Sequence, residues 1–397
     1  MAFSLTLASA LVALSLAGLQ AASLGLADLH LRRPAPAPQG PRPRISLIRP
    51  VCGRDPKDEA TLGSSFTQDY PDYEILFCVA VPDDPAVPLV RQLIADHPGV
   101  PARLLVGDDR ISGNPKLNNV AKGWEAASSD WIVMADSNLL LPPDYLSQLQ
   151  AQFAPGVGMV SSPAVGSEPE GLPAHLECAY LNTHQARWQL VADQLGLGFA
   201  QGKSLFYRRD LVNAAGGLAV LGRDMAEDVA STRITRAAGL SVRLPPAPFP
   251  QPLGRRGWRE VWQRQVRWAK VRRLGFPLLY ALEILNGFVP FVLFAALGGM
   301  NPDVILACGV LWYAGEWWLA QRGDWPRGPQ DVAMWILRDL LNPWLWLRGW
   351  IGKGFEWRGN AMHVEATVRE VTVKDAPVPD APVPDVPAKN APVKDRG

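Results

Sequence analysis

Acidic side chains that could bind a metal ion or a phosphate ligand follow two apolar segments of this chain. Asp83 and Asp84 come after the first segment, and Asp136 comes directly after the second. A carboxylate such as Asp136 can bind a divalent cation, the cation can bridge two phosphates, and Asn138 offers a further neutral oxygen. An ordinary Asp–Ser turn after a strand explains the same residues, so the sequence alone leaves both interpretations open.

Asp84 stands just before Pro85, an arrangement that is typical of a helix start. The same position suits a nucleotide contact, because a carboxylate at the end of a strand can accept a hydrogen bond from a ribose or a base. These two interpretations are compatible. Asp83 is included with Asp84 as a candidate substrate contact.

A Lys and three Asn side chains are concentrated in the short segment 114–119. Lys116 could face a diphosphate, while the amides, Asn118 among them, could hold a base or orient a loop. A turn followed by a helix start accounts for Asn and Pro there equally well. It does not account for the whole set, which therefore favours a functional role.

Glu227 and Asp228 form an adjacent carboxylate pair in a polar run. Such a pair could supply a general base whose pKa is raised by its neighbour. Acidic residues are also common in the first turn of a solvated helix, where they interact favourably with the helix dipole. From these residues alone the helix turn is the preferred interpretation.

The basic residues that follow them lie just before a long apolar stretch. Arg264 and Arg267 are three residues apart and share a face if the segment is helical, with Trp268 beside them. Such a group can clamp a diphosphate or lie on anionic headgroups. The next cations, Lys270, Arg272 and Arg273, fit a cytoplasmic collar of a membrane segment.

Short apolar segments that alternate with amphipathic ones must position these side chains. Between residues 45 and 244 this alternation predicts an α/β sheet with helices on both faces. Ligands of such sheets gather at the carboxyl ends of strands, where Asp84 and Asp136 fall. The predicted strands are 45–48, 73–81, 103–106 and 131–135, and the predicted helices are 86–97 and 116–127.

Both ends of the chain carry apolar segments that indicate a membrane. Residues 3–27 are uncharged and could cross ~30 Å of hydrocarbon, although a cleaved signal peptide is the rival interpretation. Arg32 and Arg33 then predict a cytoplasmic domain. The predicted organisation is an anchor at 1–29, a Pro-rich linker at 30–44, a cytoplasmic catalytic domain at 45–274, membrane or interfacial helices at 275–360 and a largely disordered Pro-rich tail at 361–397.

Charged residues interrupt the C-terminal apolar segments, among them Glu283, Glu316, Arg338 and Asp339. Charges are costly in lipid, so the carboxylates are expected to face protein or water. Most of the 15 Trp residues lie in the C-terminal third, as is typical of membrane interfaces.

The overall composition excludes several classes of function. The formal net charge of +1 gives no excess of positive charge for binding nucleic acid. The four cysteines are scattered without a CxxC pair, which argues against a zinc site or a disulfide framework. They are Cys52, Cys78, Cys178 and Cys308.

Taken in order, the motifs closely resemble the membrane-bound GT-A glycosyltransferases, and among them the ceramide glucosyltransferase family. The family pattern is three Asp residues followed by (Q/R)xxRW, and Arg at the first position of that last motif favours the ceramide-type branch. The resemblance covers roughly residues 45–273 and implies a Rossmann-like GT-A domain that binds a nucleotide sugar. The matching residues are Asp84, Asp136, Asp228, Arg264, Arg267 and Trp268.

The resemblance implies inverting transfer of a hexose, with glucose as the first choice, from a UDP-sugar to the primary hydroxyl of ceramide. Asp84 would contact the nucleotide, and Asp136 with Asn138 would hold Mg²⁺ or Mn²⁺ on the diphosphate. Asp228 would be the general base. Arg264 and Arg267 would stabilise the leaving UDP, and Trp268 would shape the acceptor pocket. The substrate-binding residues are predicted to be Asp83, Asp84, Lys116, Asn118, His184 and Glu227.

Some residues depart from the family pattern. Val81 stands where eukaryotic members often carry an acid, and the Asp-Ser-Asn motif lacks a second carboxylate ligand. His184 matches a His near the family's active site, although a core His explains it equally well. The Pro and Ala richness is typical of bacteria, which predicts a location in the bacterial inner membrane and makes a hopanoid or another lipid acceptor an alternative. A processive polysaccharide synthase and an inactive membrane scaffold are the others.

Overall fold

A seven-stranded, largely parallel sheet forms the centre of the chain. The computed structural model describes residues 2–36, 42–224, 226–352, 354–357 and 360–363. The strands of the central sheet are β1 (Ile45–Pro50), β2 (Tyr73–Val79), β3 (Ala102–Val106), β4 (Trp131–Ala135), β5 (Val157–Ser162), β7 (Ser204–Arg208) and β8 (Ser241–Arg243), and two smaller sheets contain β6 (Ala164–Glu170) with β9 (Phe249–Arg255) and β10 (Gly354–Trp357) with β11 (Asn360–His363).

The strand order of the central sheet is β3-β2-β1-β4-β7-β5-β8. The neighbours β3, β2, β1 and β4 are parallel to one another, whereas β7 runs antiparallel to both β4 and β5. This arrangement confirms the predicted α/β fold class. Since β7 runs against β4, the residues that precede β7 come to the same edge of the sheet as the residues that follow β4.

The helices pack against the sheet and against one another. They are α1 (Ala2–Leu31), α2 (Asp58–Gly63), α3 (Val87–Asp96), α4 (Pro115–Ala126), α5 (Tyr145–Ala151), α6 (Leu172–Ala179), α7 (Arg187–Gln194), α8 (Arg209–Ala214), α9 (Glu227–Ala237), α10 (Trp258–Gly275), α11 (Pro277–Leu282), α12 (Phe288–Leu297), α13 (Pro302–Arg322) and α14 (Pro329–Trp350), with a π-helix at Tyr180–Ala186 and 3₁₀ turns at Ser64–Phe66, Leu218–Gly222 and Glu283–Leu285.

The strands β1, β2 and β4 form where the predicted apolar runs are buried within the sheet. All seven residues of β2 are buried, as is typical of a parallel strand between two helical layers. The strand ends at Val79, two residues earlier than predicted, and Pro82, which lacks a backbone N–H, follows in the turn. On α4, a Cβ at Gly123 would lie only 2.6 Å from the sulfur of Cys78, so glycine allows this helix to approach the sheet closely.

One helix of the described residues is apolar and long enough to cross a membrane, and a second candidate is bent. The straight one spans Ser4–Leu31, within α1. The bent candidate joins Pro277–Leu285 to Phe288–Leu297 at an angle of 61°. Any further span among the predicted C-terminal membrane helices stays a prediction.

Three charged residues of the C-terminal helices, Glu316, Arg338 and Asp339, are buried in the protein, whereas Asp303 is exposed. Arg338 on α14 donates to both carboxylate oxygens of Glu316 on α13, at 2.9 and 3.0 Å, and to Asp339 at 2.9 Å. Arg338 also donates to the hydroxyl of Thr183 in the π-helix, at 2.6 Å. This buried network therefore ties the C-terminal helices to the sheet-containing domain.

The last described residues differ from the predicted organisation. A hairpin of β10 and β11 follows the helices, so residues 361–363 lie in a strand rather than in the predicted tail. The remainder of that tail, 364–397, lies outside the described residues, as do residues 37–41 of the predicted linker.

Candidate active site

The carboxyl ends of β2 and β4 bring Asp84 and Asp136 to one edge of the sheet, as the sequence predicted for strand-end residues. The backbone N–H of Asp136 donates to the carbonyl of Lys203 at 3.0 Å, just before β7 begins. The N-terminus of α9, with Glu227 and Asp228, meets the same edge through Gly202. These are the elements from which the candidate site is built.

Lys116 lies at the centre of this group. Its ammonium is 2.7 Å from Asp136 Oδ1 and 2.7 Å from Glu227 Oε1, and it also donates to the carbonyl of Gly202. It is carried by the first turn of α4, which Asn114 caps by accepting from two backbone N–H groups. Asn114 also donates to Glu227 at 2.8 Å. Lys116 is therefore a bridge between two carboxylates within the site.

Lys203 is a second lysine of the site that the sequence interpretation missed. Its ammonium lies 3.1 Å from Asp136 Oδ2 and donates to Asn138 Oδ1 at 3.1 Å. The side chain is only 13% exposed. The signal in the sequence was a lone Lys directly before the apolar run that forms β7, but the pairing of β7 with β4 was not predicted.

Electrostatics hold Asp136 ionised between the two lysines. Burial alone would raise the pKa of Asp136, but the charges of Lys116 and Lys203 outweigh it and hold the pKa well below its ordinary value. Burial likewise opposes the charge on Lys116, yet Asp136 and Glu227 raise the pKa of that lysine. Burial prevails at Lys203, where Asp136 only partly compensates and the pKa is lowered.

Asp228 occupies the first turn of α9 beside Glu227, but Glu227 is buried, so the pair does not form the solvated turn that was preferred from the residues alone. Asp228 Oδ2 accepts from the backbone N–H of Gly202 at 2.9 Å, and Oδ1 accepts from the N–H of Val229 at 2.8 Å. Burial, followed by the charge of Glu227, raises the pKa of Asp228 from 3.8 to about 6. A carboxylate with this pKa is suited to exchanging protons near neutral pH.

Gly202 is the residue that permits this close packing. A Cβ at this position would lie 2.8 Å from Glu227 Oε1 and 3.5 Å from both Asp228 Oδ2 and Lys116 Nζ. Any larger residue would therefore push these side chains apart.

Asp84 supports the backbone around it. Its two oxygens accept from the N–H of Gly53 at 3.1 and 2.9 Å, and Oδ1 accepts from the N–H of Ala86 at 2.8 Å. The carboxylate thus joins the loop after β1 to the start of α3. Asp83 beside it is exposed.

Asn118 organises the loop that leads into α4. Its side-chain oxygen accepts from the backbone N–H groups of Ile111 and Ser112 at 3.1 and 3.0 Å, and its amide donates to the carbonyl of Ser112 at 3.0 Å. These bonds make Asn118 a support of the loop rather than an open contact.

The predicted basic motif lies on α10. Arg264 donates to Glu177, which is fully buried, and to Glu260 at 3.0 Å. The positive charge of Arg264 also contributes to lowering the pKa of Lys203, which places it on the side of the site where Lys203 lies. Arg267 is half-buried. Trp268 packs against an apolar cluster of Ala174, Cys178, Leu181 and Leu253.

The cations that follow on α10 contact neighbouring helices, and their role as a collar of a membrane segment stays a prediction. Lys270 is buried, and Arg272 donates to both oxygens of Glu283 at 2.9 and 3.1 Å. Arg273 lies over the ring of Trp350 at 5.7 Å. These contacts connect α10 to the C-terminal helices.

His184 lies in the π-helix, between the sheet domain and the bent helix pair. Its Nδ1 is 3.4 Å from the amide of Asn286, and its ring meets Tyr180 edge-on with centroids 6.2 Å apart. Burial, with the positive charge of Arg338 next, lowers the pKa of His184 well below its ordinary value. The imidazole is therefore neutral, and its contacts are those of a packed interior residue.

The predicted metal site has a donor set that fits a metal poorly. Asp136 is its single carboxylate, and each of its oxygens already accepts from a lysine. Asn138, the other predicted ligand, accepts from Lys203. Within the described parts of the chain, no cluster of three or more His, Cys, Asp or Glu side chains could hold a metal ion.

Comparison with known proteins places this site in context. The model of glycosyl transferase family 21 matches residues 7–369. Ceramide glucosyltransferase 3 of Caenorhabditis elegans is 26% identical over 334 residues, which are 81% of this chain and 73% of that protein. A ceramide glucosyltransferase of Komagataella phaffii is 41% identical over 108 residues, 26% of this chain and 21% of that protein.

Solved structures similar to the chain include a mannosyltransferase from Pyrobaculum calidifontis, in complex with GDP-Man and Mn²⁺. It is 19% identical, with a TM-score of 0.48, and the match covers 85% of this chain and 99% of that one.

Proposed function

The chain belongs to glycosyl transferase family 21, and from this we propose that it transfers a hexose, glucose in the first instance, from a UDP-sugar to the primary hydroxyl of ceramide with inversion. The observation that carries the proposal is the meeting of Asp228, Asp136 and two lysines at one edge of the sheet. The similarity to ceramide glucosyltransferases supports the choice of sugar and acceptor.

In the proposed reaction, the hydroxyl oxygen of ceramide attacks the anomeric carbon of the sugar. The bond from that carbon to the phosphate oxygen breaks, and its electrons leave with UDP. Asp228 takes the hydroxyl proton, and a pKa of about 6 leaves its carboxylate mostly ionised at pH 7. A positioned base of this kind contributes ~10²–10⁴-fold to the rate.

The negative charge that develops on UDP needs compensation. We assign this role to Arg264 and Arg267 on α10, with Trp268 next to the acceptor. Arg264 is held by Glu177 and Glu260, so its orientation is fixed before the donor binds. Fixed donors of this type are worth ~10²–10³-fold each in other enzymes.

Asp84 and Asn118 serve the donor indirectly in this proposal, because both shape loops at the strand ends. Asp83, which is exposed, remains a candidate contact for the nucleotide. Lys116 and Glu227 fix the position of Asp136 relative to α9. His184 belongs to the side of the domain that faces the bent helix pair, where the lipid would enter.

The attachment of α1 supports a membrane location. His30, at the end of α1, is fully buried and lies 3.3 Å from Asp193 on α7, which also binds Arg33 at 2.6 Å. A helix docked in this way supports the anchor over the cleaved signal peptide. Arg32 and Arg33, which follow at its end, support a cytoplasmic catalytic domain. The Pro and Ala richness of the chain is the basis for proposing a bacterial inner membrane.

The contact between α10 and Glu283 places the basic motif next to the bent helix pair. A water-soluble donor and a lipid acceptor would then meet at the bilayer surface.

The resemblance also implied Mg²⁺ or Mn²⁺, and Mn²⁺ is present in the mannosyltransferase complex. Asp136 and Asn138 would be the ligands here. Since the lysines already occupy their oxygens, the residues do not fit the ion well, and no step of the proposed reaction depends on one.

The proposal can be tested in a host that contains ceramide and several UDP-sugars. Mass spectrometry of lipids from cells that express the full chain should detect a hexosyl-ceramide, which should be absent with an Asp228→Asn variant. A glycosylated hopanoid or a long polysaccharide instead would support the alternative acceptors. The absence of every new glycolipid would argue against the proposal.

A further inference from the structure

Lys203 stands where a divalent cation would be needed in the predicted metal site. We propose that the ammonium of Lys203, held by Asp136 and Asn138, supplies positive charge to the donor diphosphate in place of a divalent cation. The inference rests on the proposed function, because it requires a nucleotide-diphosphate sugar as the donor.

The first support is the geometry. The ammonium of Lys203 lies 3.1 Å from Asp136 Oδ2 and 3.1 Å from Asn138 Oδ1. These are the carboxylate and the amide that were predicted to bind the ion. The other oxygen of Asp136 is 2.7 Å from Lys116, so both oxygens of the carboxylate already have a cationic partner.

The second support is the number of ligands. Mg²⁺ requires near-octahedral oxygen ligands, and protein sites for it usually supply one or two carboxylates in addition to substrate phosphates. Asp136 supplies one carboxylate, but both of its oxygens contact lysines, so a metal ion would have to displace a tethered lysine from it. A lysine that is part of the chain does not have to be recruited from solution.

The third support is the donor capacity of Lys203. An ammonium group has three N–H donors. Within the part of the chain that the structure describes, Asp136 and Asn138 are the partners recorded for it, which leaves one N–H for a phosphate oxygen. Lys116, by contrast, has three recorded acceptors, in Asp136, Glu227 and the carbonyl of Gly202. Lys203 is therefore the better candidate for a contact with the ligand.

The fourth support is the placement of charge. Arg264 is close enough for its positive charge to act on Lys203. Together the two side chains carry two formal positive charges, the same as a divalent cation. Lys203 also follows Gly202 directly, and the N–H of Gly202 binds Asp228. Lys203 is therefore adjacent in sequence to the residue that holds the proposed base.

The test uses the purified full-length protein in detergent micelles, with UDP binding measured by calorimetry and transfer measured by UDP release. Both are recorded in excess EDTA and again with Mg²⁺ or Mn²⁺. The wild type is expected to bind UDP and to transfer sugar in EDTA within about twofold of its rate with metal. Lys203→Met, in EDTA, should lose about 10²–10³-fold in kcat and about tenfold in UDP affinity.

Two further variants test whether the effect of Lys203→Met comes from the lost positive charge or from a disturbed fold. Lys203→Arg keeps the positive charge and should retain UDP binding in EDTA better than Lys203→Met. Lys57→Met changes a lysine that pairs with Glu168 and Glu170 at the surface, and it should behave like the wild type. Thermal unfolding of each variant checks that the protein is folded.

The inference would be overturned if the wild type lost transfer and UDP binding in EDTA and recovered both with metal, while folded Lys203→Met was no worse. That result would leave the proposed function intact. If the wild type neither bound UDP nor transferred sugar under any condition, the proposed function and the inference would fail together.

Discussion

Replacement of Asp228 by Asn should separate the activity of this protein from its stability. Asn has nearly the same shape as Asp. Its side-chain oxygen can still accept from the backbone N–H of Gly202, which lies 2.9 Å from the carboxylate of Asp228 in the wild type. The amide nitrogen cannot accept from the N–H of Val229, so the variant loses that one hydrogen bond, worth about 1 kcal/mol, together with the ability to take a proton. We therefore expect kcat to fall by ~10²–10⁴-fold while UDP affinity is unchanged.

The same substitution should stabilise the fold at neutral pH. Burial and the charge of Glu227 raise the pKa of Asp228 from 3.8 to about 6, so the folded protein binds a proton here more tightly than the unfolded chain. Stability from this group is therefore greatest below pH 4 and is lost as the pH rises to about 6. The loss is of the order of 3 kcal/mol above that pH, and a neutral Asn avoids it.

The assay combines transfer and unfolding across pH 4–8. The wild-type kcat should fall below about pH 6, because the base becomes protonated, and the residual activity of Asp228→Asn should lack this limb. Asp210→Asn, on an exposed side chain of α8, is the matched control and should change neither quantity. A folded Asp228→Asn protein with near-normal turnover would refute the assignment of the base, and one that is less stable than the wild type at pH 7 would refute the electrostatic reasoning.

Three other substitutions test the close packing at the site and the buried charges of the fold. Gly202→Ala places a Cβ 2.8 Å from Glu227 Oε1, so it should cost about 1–3 kcal/mol of stability in chemical denaturation and lower kcat. Arg338→Met leaves the buried carboxylate of Glu316 without its bidentate partner, and detergent-solubilised protein should lose about 3–5 kcal/mol in thermal unfolding. Glu177→Gln removes the fully buried charge that holds Arg264, and it should lower both stability and kcat, whereas unchanged kinetics would show that this arginine needs no such support.

The parts of the fold that were predictable are those with a local signal. The strands β1, β2, β3 and β4 follow from continuous apolar runs, and the start of α4 follows from an Asn and a Pro in sequence. Because parallel strands end at the same edge of a sheet, the carboxyl ends of β2 and β4 place Asp84 and Asp136 together there, and this was predictable from local sequence alone.

Long-range pairing explains what the sequence did not reveal. Lys203 reaches Asp136 because β7 pairs with β4 in the antiparallel direction, and no local sequence pattern indicates this pairing. Lys116 was predicted as an open diphosphate contact, but tertiary packing places it between Asp136 and Glu227 instead. The partner of Arg264, Glu177, is 87 residues away in the chain.

The most direct test of the proposed function is a reaction of purified full-length protein with a UDP-sugar and ceramide in micelles. Mass spectrometry and proton NMR of the product should show a hexosyl-ceramide of inverted anomeric configuration, formed by the wild type and nearly absent with Asp228→Asn. Release of UDP without a glycosylated ceramide, or a product of retained configuration, would contradict the account.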